Sequence, residues 1–128
     1  MRLRIFQPQS VFMEETVEKV VAQGPEGAFG ILPRHLDMVA ALSPGILAYW
    51  PSGDGERFLA VNGGILVKQG ETVHVATRMA VPGSLGELQA TARRFVTDLD
   101  ERERQTRTVV ARLEADFIRR FVEFGKNV

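Results

Sequence analysis

The residues best equipped for chemistry in this chain lie close together. His35 can move a proton near neutral pH, with Asp37 two residues on and Arg34 beside it. A transfer or hydrolytic reaction also needs a nucleophile, and no serine or cysteine accompanies this group in a recognisable motif. A hydrogen-bonded turn is therefore the simpler role for His35. Just upstream, Gly24-Pro-Glu-Gly-Ala-Phe-Gly30 has the glycine density of a phosphate-cradling loop. It lacks the Lys-Ser/Thr of a P-loop and leads into no helical pattern, so its glycines read as turn residues. The carboxylates Glu14, Glu15, Glu18, Glu26, Asp37, Asp54, Glu56 and Glu71 are scattered, with no spacing that brings two of them to one cleft. With no cysteine and only His35 and His74, the usual zinc ligands are missing. The expectation is no catalytic residue, no metal site and no cofactor.

Positioning such loops falls to a chain of 128 residues, enough for one sizeable core with an appendage. Hydrophobic residues make up 45% of it, which suits a globular protein. Runs such as Val39-Ala40-Ala41-Leu42 fall far short of the roughly 20 apolar residues that cross a bilayer, so direct membrane insertion is not expected. Sixteen basic and sixteen acidic residues cancel, leaving no global field to draw in nucleic acid or an anionic membrane. The lack of cysteine fits a reducing, cytoplasmic location.

All six prolines, and ten of the twelve glycines, lie before Ser84, which divides the chain near Val81-Pro82-Gly83-Ser84. In the first part, Leu3/Ile5, Phe58/Ala60, Ile65/Val67 and Val73/Val75 alternate with polar or opposite-face residues, the period of a half-buried strand. About eight to ten short strands are expected, over 2–7, 11–15, 16–23, 28–31, 37–42, 45–50, 56–61, 64–68 and 71–77, forming an antiparallel β-sandwich. Tyr49-Trp50-Pro51-Ser52-Gly53-Asp54-Gly55 supplies the clearest hairpin turn, and Asn62-Gly63-Gly64 can take positive φ without strain. His74 alternates with Val73 and Val75 and points away from the buried side. After Ser84, a plausible N-cap, the apolar positions Leu85, Leu88, Ala92, Phe95, Val96 and Leu99 recur at helical spacing. The pattern resumes over Thr106, Val109, Val110, Leu113, Phe117, Phe121 and Phe124. Asp100-Glu101-Arg102-Glu103-Arg104-Gln105 separates the two stretches with no apolar anchor and no helix breaker. Two antiparallel helices folded at this run are preferred, because each stripe would bury the other; one helix of about 40 residues is the competing arrangement.

Gly24 to Leu47, with its Gly30-Ile31-Leu32-Pro33 step, and Phe58-Leu59-Ala60-Val61-Asn62-Gly63-Gly64-Ile65-Leu66 together resemble the ε subunit of F-type ATP synthases. The resemblance runs from Met1-Arg2-Leu3-Arg4-Ile5 through the Val17–Ala22 run to roughly Gly83. It implies a β-sandwich domain over 1–83 that clamps γ to the c-ring, and a helical regulatory domain over 84–128. It implies a non-catalytic rotor subunit at the cytoplasmic face of the bacterial inner membrane, coupling proton or sodium translocation to ATP synthesis and hydrolysis through γ. Exposed apolar residues on one sheet would meet γ. In ε subunits the turn at Glu26 touches the polar loops of the c-ring; Glu26 matches a commonly acidic or polar position, whereas Ala28 stands where many relatives carry a second acid. His35 follows Leu32-Pro33-Arg34, where relatives read Leu-Pro-Gly-His, a small residue and Pro; Arg34 and Asp37 replace that Gly and Pro. Glu26, Ala28, Arg34, His35 and Asp37 are thus the implied c-ring and γ interface residues.

Eight arginines in the second part face eight acids, which by itself describes a solvated helical surface. The resemblance implies something sharper, since the helices of ε subunits can rise along γ towards α and β and stall hydrolysis. Arg112, Arg119 and Arg120 are the implied contacts to β, a guanidinium being suited to a carboxylate partner. ATP-binding ε subunits carry Ile/Leu-Asp-x-x-Arg-Ala in the first helix; Leu85-Gly86-Glu87-Leu88-Gln89-Ala90 lacks the Asp and the Arg, so no ATP sensing is implied. That divergence, with the three C-terminal phenylalanines, resembles the alternative F-type branch. The rival readings are a free-standing enzyme and a stand-alone ligand-binding or adaptor sandwich.

Overall fold

The computed structural model describes residues 1–126, without the side chains of Phe117 and of residues 121–126. Seven strands, β1 (Arg2–Gln7), β2 (Ser10–Gly24), β3 (Gly27–Ile31), β4 (Met38–Pro51), β5 (Arg57–Gln69), β6 (Thr72–Ala76) and β7 (Ala80–Gly83), precede one helix, α1 (Leu85–Lys126). Fewer strands form than the sequence suggests because three expected pairs are continuous. The runs 11–15 and 16–23 are one strand, as are 37–42 with 45–50 and 56–61 with 64–68.

Each of these long strands serves two sheets. The first sheet runs β3, the second half of β2, the second half of β4, the first half of β5, then β7. The second runs the first half of β4, the second half of β5, β6, β1, then the first half of β2. Strand β5 changes sheet at Gly63 and Gly64, whose φ values of 68° and 132° suit glycine. A Cβ on Gly64 would lie 1.9 Å from the Ala76 carbonyl oxygen, so this bend admits no side chain. Between the sheets Leu3, Ile5, Val17, Val20, Ile31, Leu47, Leu59, Leu66, Val73 and Val75 are fully buried.

One alternation runs opposite to expectation. Leu66 and Lys68 face inward, while Ile65 and Val67 face outward. Four consecutive residues, Ile65 to Lys68, include three that are apolar, so the strand pattern alone favours putting the lysine outside. The fold instead buries the Lys68 stem in the inner row of Met38 and Val73 and satisfies its amine with carbonyls.

Residues Met1–Val96 make one compact unit and Thr97–Val128 another. Within the first, Leu88 and Phe95 from the opening turns of α1 pack with Ala60, Ile46, Phe58 and Val81, covering the outer face of the first sheet. Within the second, the preferred helical hairpin does not form. Asp100–Gln105 is rich in good helix formers. The run continues as helix, with the Thr106 and Thr108 hydroxyls donating to the carbonyls of Arg102 and Arg104 and Arg107 4.0 Å from Glu103 one turn back. Phe121 and Phe124 belong to this helix by sequence position, and their side chains, like that of Phe117, lie outside the described residues.

Candidate docking surfaces

Cross-strand partners share a face, so the register of the second sheet writes out its outer surface row by row. One row reads Ala41, Ile65, Ala76, Phe6, Val11; the next reads Val39, Val67, His74, Arg4, Glu14. Val39 is 72% exposed and Ile65 52%, unusual values for such residues on a strand. The face is apolar towards β4 and charged towards β1 and β2. At the charged side the Phe6 and His74 rings meet edge to face at 5.5 Å, and the Arg4 guanidinium lies 5.2 Å from the Phe6 centroid. Glu14 accepts a hydrogen bond from Arg2 Nε at 2.7 Å, which holds its carboxyl below the ordinary value, with Arg4 adding to the effect.

Glu26 and Ala28 are exposed at the β2–β3 turn and the start of β3, lining a shallow concavity of about 470 Å³ with Phe29, Ala40 and Ala41. Arg34, His35 and Asp37 are exposed in the loop 32–37 between β3 and β4. They line a second concavity, of about 640 Å³, with Leu36, Lys68, Gly70 and Glu71. The two groups of implied interface residues therefore flank the beginning of β4 in separate depressions and do not form one cluster.

Nor do His35 and Asp37 form a proton-transfer pair. His35 Nδ1 lies 2.8 Å from the Leu36 carbonyl, and Asp37 Oδ1 accepts the Gly70 N–H at 2.8 Å. Lys68, only 2% exposed, donates to the carbonyls of His35, at 3.0 Å, and Gly70. Lys68 is not legible in residue order, where a lone lysine on a strand usually faces water, and neither is Val39, whose edge position emerges only from the sheet order. Among the described residues no cluster of three His, Cys, Asp or Glu side chains could hold a metal ion.

Arg112, Arg119 and Arg120 are exposed on α1 within the second unit, with Arg119 4.0 Å from Asp116. On the same helix Val109, Val110, Leu113 and Ile118 are also exposed. No helix among the described residues is long and apolar enough to cross a membrane.

Two sheets sharing three long strands, followed by a helix, define a β-sandwich protein whose conspicuous surfaces are apolar faces and tethered loops. Residues 1–90 match the family described as the beta-sandwich domain of the ATP synthase delta/epsilon chain, and the chain belongs to that family. It is similar to ATP synthase epsilon chain 2 of Cereibacter sphaeroides, 35% identical over 120 residues that cover 91% of this chain and 82% of the relative. It is similar also to ATP synthase epsilon chain 2 of Paraburkholderia xenovorans, 33% identical over 130 residues, 97% of this chain and 91% of the relative. Among solved structures it resembles a chain of the Euglena gracilis mitochondrial ATP synthase, in an assembly of OSCP, F1 and c-ring. The TM-score there is 0.61 at 26% identity, covering 70% of this chain and 59% of that one.

Proposed function

We propose that the chain is the ε subunit in the central stalk of an F-type ATP synthase at the cytoplasmic face of a bacterial inner membrane. It performs no chemistry. The sandwich transmits torque as a packed wedge between γ and the c-ring, a task suited to a core without slack. The outer face of the second sheet, centred on Val39, Ala41, Ile65 and Val67, is the γ surface, and the single observation that carries this reading is its exposure in a family member. Glu26, Ala28, Arg34, His35 and Asp37 extend that contact towards the c-ring, and the two concavities beside β4 accommodate partner loops. The sandwich and the helix beyond Val96 divide coupling from regulation, with Arg112, Arg119 and Arg120 meeting carboxylates of β when hydrolysis is restrained. The ion, proton or sodium, is chosen elsewhere.

The test is a tagged full-length chain expressed with its own synthase. Wild type should co-purify γ and c-ring, and a chain lacking residues 97–128 should still do so while ATP hydrolysis rises. Charge reversal at Arg119 and Arg120 should raise hydrolysis in the same direction. Recovery of the wild-type chain free of both γ and c-ring would overturn the assignment, and unchanged hydrolysis in both variants would remove the regulatory part.

A further inference from the structure

We infer that Lys68 and Asp37 form a clasp that presets the loop 32–37 for docking, Lys68 acting as a positioning residue rather than a contact. The inference rests on the reading of this loop as part of the γ-facing surface, with which it is continuous through Val39.

A loop with Leu36 83% exposed and Leu32 56% exposed gains little from its own apolar side chains. Its internal bonds, the His35 N–H to the Leu32 carbonyl at 2.9 Å and the His35 ring to the Leu36 carbonyl, shape a turn without attaching it to anything. Attachment comes from two bonds across 33 positions of sequence, Lys68 Nζ to the His35 carbonyl and the Gly70 N–H to Asp37 Oδ1. Both converge on the β5–β6 turn at Gly70, which donates to Asp37 and accepts from Lys68 and whose φ of 57° fixes the direction of its peptide groups.

Burying an ammonium is costly unless its protons find acceptors, so the amine cannot release the His35 carbonyl without seeking another. No carboxylate among the described residues lies within ion-pair distance of Lys68, so carbonyl geometry, not a mobile counter-ion, sets where the loop sits. A loop already ordered avoids the entropic cost of ordering on association, and that saving appears as affinity. Lys68 itself has almost no surface with which to touch a partner.

The experiment uses the full-length chain, its amide hydrogen exchange and its affinity for purified γ. Lys68→Met keeps most of the stem and removes the donors; Lys68→Arg keeps donors and charge. Asp37→Ala cuts the second bond at an exposed position and leaves the core untouched. Val75→Ala weakens the core without touching the loop. The clasp predicts about tenfold faster exchange over residues 32–37 in Lys68→Met and at Gly70 in Asp37→Ala, with γ affinity reduced about tenfold in Lys68→Met, which removes no exposed contact. Lys68→Arg should recover most of both, and Val75→Ala should lose stability yet keep loop protection and affinity. Unchanged loop exchange in both Lys68→Met and Asp37→Ala would overturn the clasp, as would an equal affinity loss in Val75→Ala. Faster exchange with full affinity would overturn the positioning role. If wild type fails to bind γ, the functional reading falls, while the exchange measurements still decide the clasp.

Discussion

On the outer face of the first sheet, Ile46, Phe58, Ala60 and Val81 lie against Leu88 and Phe95 of α1, whereas on the outer face of the second sheet Val39, Ala41 and Ile65 stay exposed. Both faces come from the same strands, since β4 and β5 pass from one sheet to the other. Their local residue types are alike. What differs is that the first compact unit supplies its own cover for one face, in the first turns of a helix, and within that unit supplies none for the other. A face that must be dry for the fold to hold is sealed within the chain, and a face that a partner will seal can stay open until that partner arrives. The boundary of the sandwich follows from this contrast: the turns through Val96 are part of the first compact unit, so a deletion meant to spare the sandwich should begin at Thr97.

The contrast depends first on the bend that sends β5 into two sheets. Gly64→Ala should be the most damaging change, lowering stability by about 3–5 kcal/mol, because the added methyl meets the Ala76 carbonyl in a backbone conformation that only glycine accepts easily. Urea denaturation reads it directly, and a loss below about 1 kcal/mol would show that the bend tolerates a side chain.

The two faces are then set against each other. Leu88→Ala, on the covered side, should cost about 2–4 kcal/mol of stability. Ile65→Asp, on the open side, should stay within about 0.5 kcal/mol of wild type while abolishing capture of γ. Equal losses of stability in the two variants would erase the distinction between a sealed face and an open one.

The smallest effect concerns exposed carboxylates, one near each sheet. Asp54, in the turn between β4 and β5, accepts the Gly55 N–H at 2.8 Å and pairs with Arg57, and these hold its carboxyl below the ordinary value. A group whose folded value is depressed contributes stability that is present above its unfolded value and is lost as pH falls through the folded one. Asp54→Asn should therefore flatten the acid side of a plot of melting temperature against pH, and Glu14→Gln, at the Arg2 pair, should do likewise. Both changes will be slight, since each group is open to solvent. An unchanged acid limb in both variants would show that neither pair outlasts solvation.

Much of this was legible in residue order. The clustering of glycine and proline before Ser84 marked strands and turns, Asn62-Gly63-Gly64 marked a backbone able to take positive φ, and the helical spacing after Ser84 marked α1. That the residues proposed for the interface would be exposed turn positions was legible, because Gly, Pro and charge seldom lie inside a core. The grouping of Glu26 with Arg34 was not, since neighbours in sequence on either side of a strand can serve different depressions.

The order of residues by itself determined that a β-sandwich would be followed by helix, because backbone preferences and hydrophobic period act over a few neighbouring positions. It could not determine that Asp100–Gln105 would continue a helix rather than turn, since nothing local opposes either course once a partner surface is allowed. Nor could it determine which of Ile65 to Lys68 would go inside. Only tertiary structure decided that Lys68 points inward, because the acceptors that make its burial tolerable, the carbonyls of His35 and Gly70, come from a loop 33 positions away and from the next turn. With the lysine inside, the strand's alternation leaves Ile65 and Val67 outside, and the open apolar face follows from that one choice.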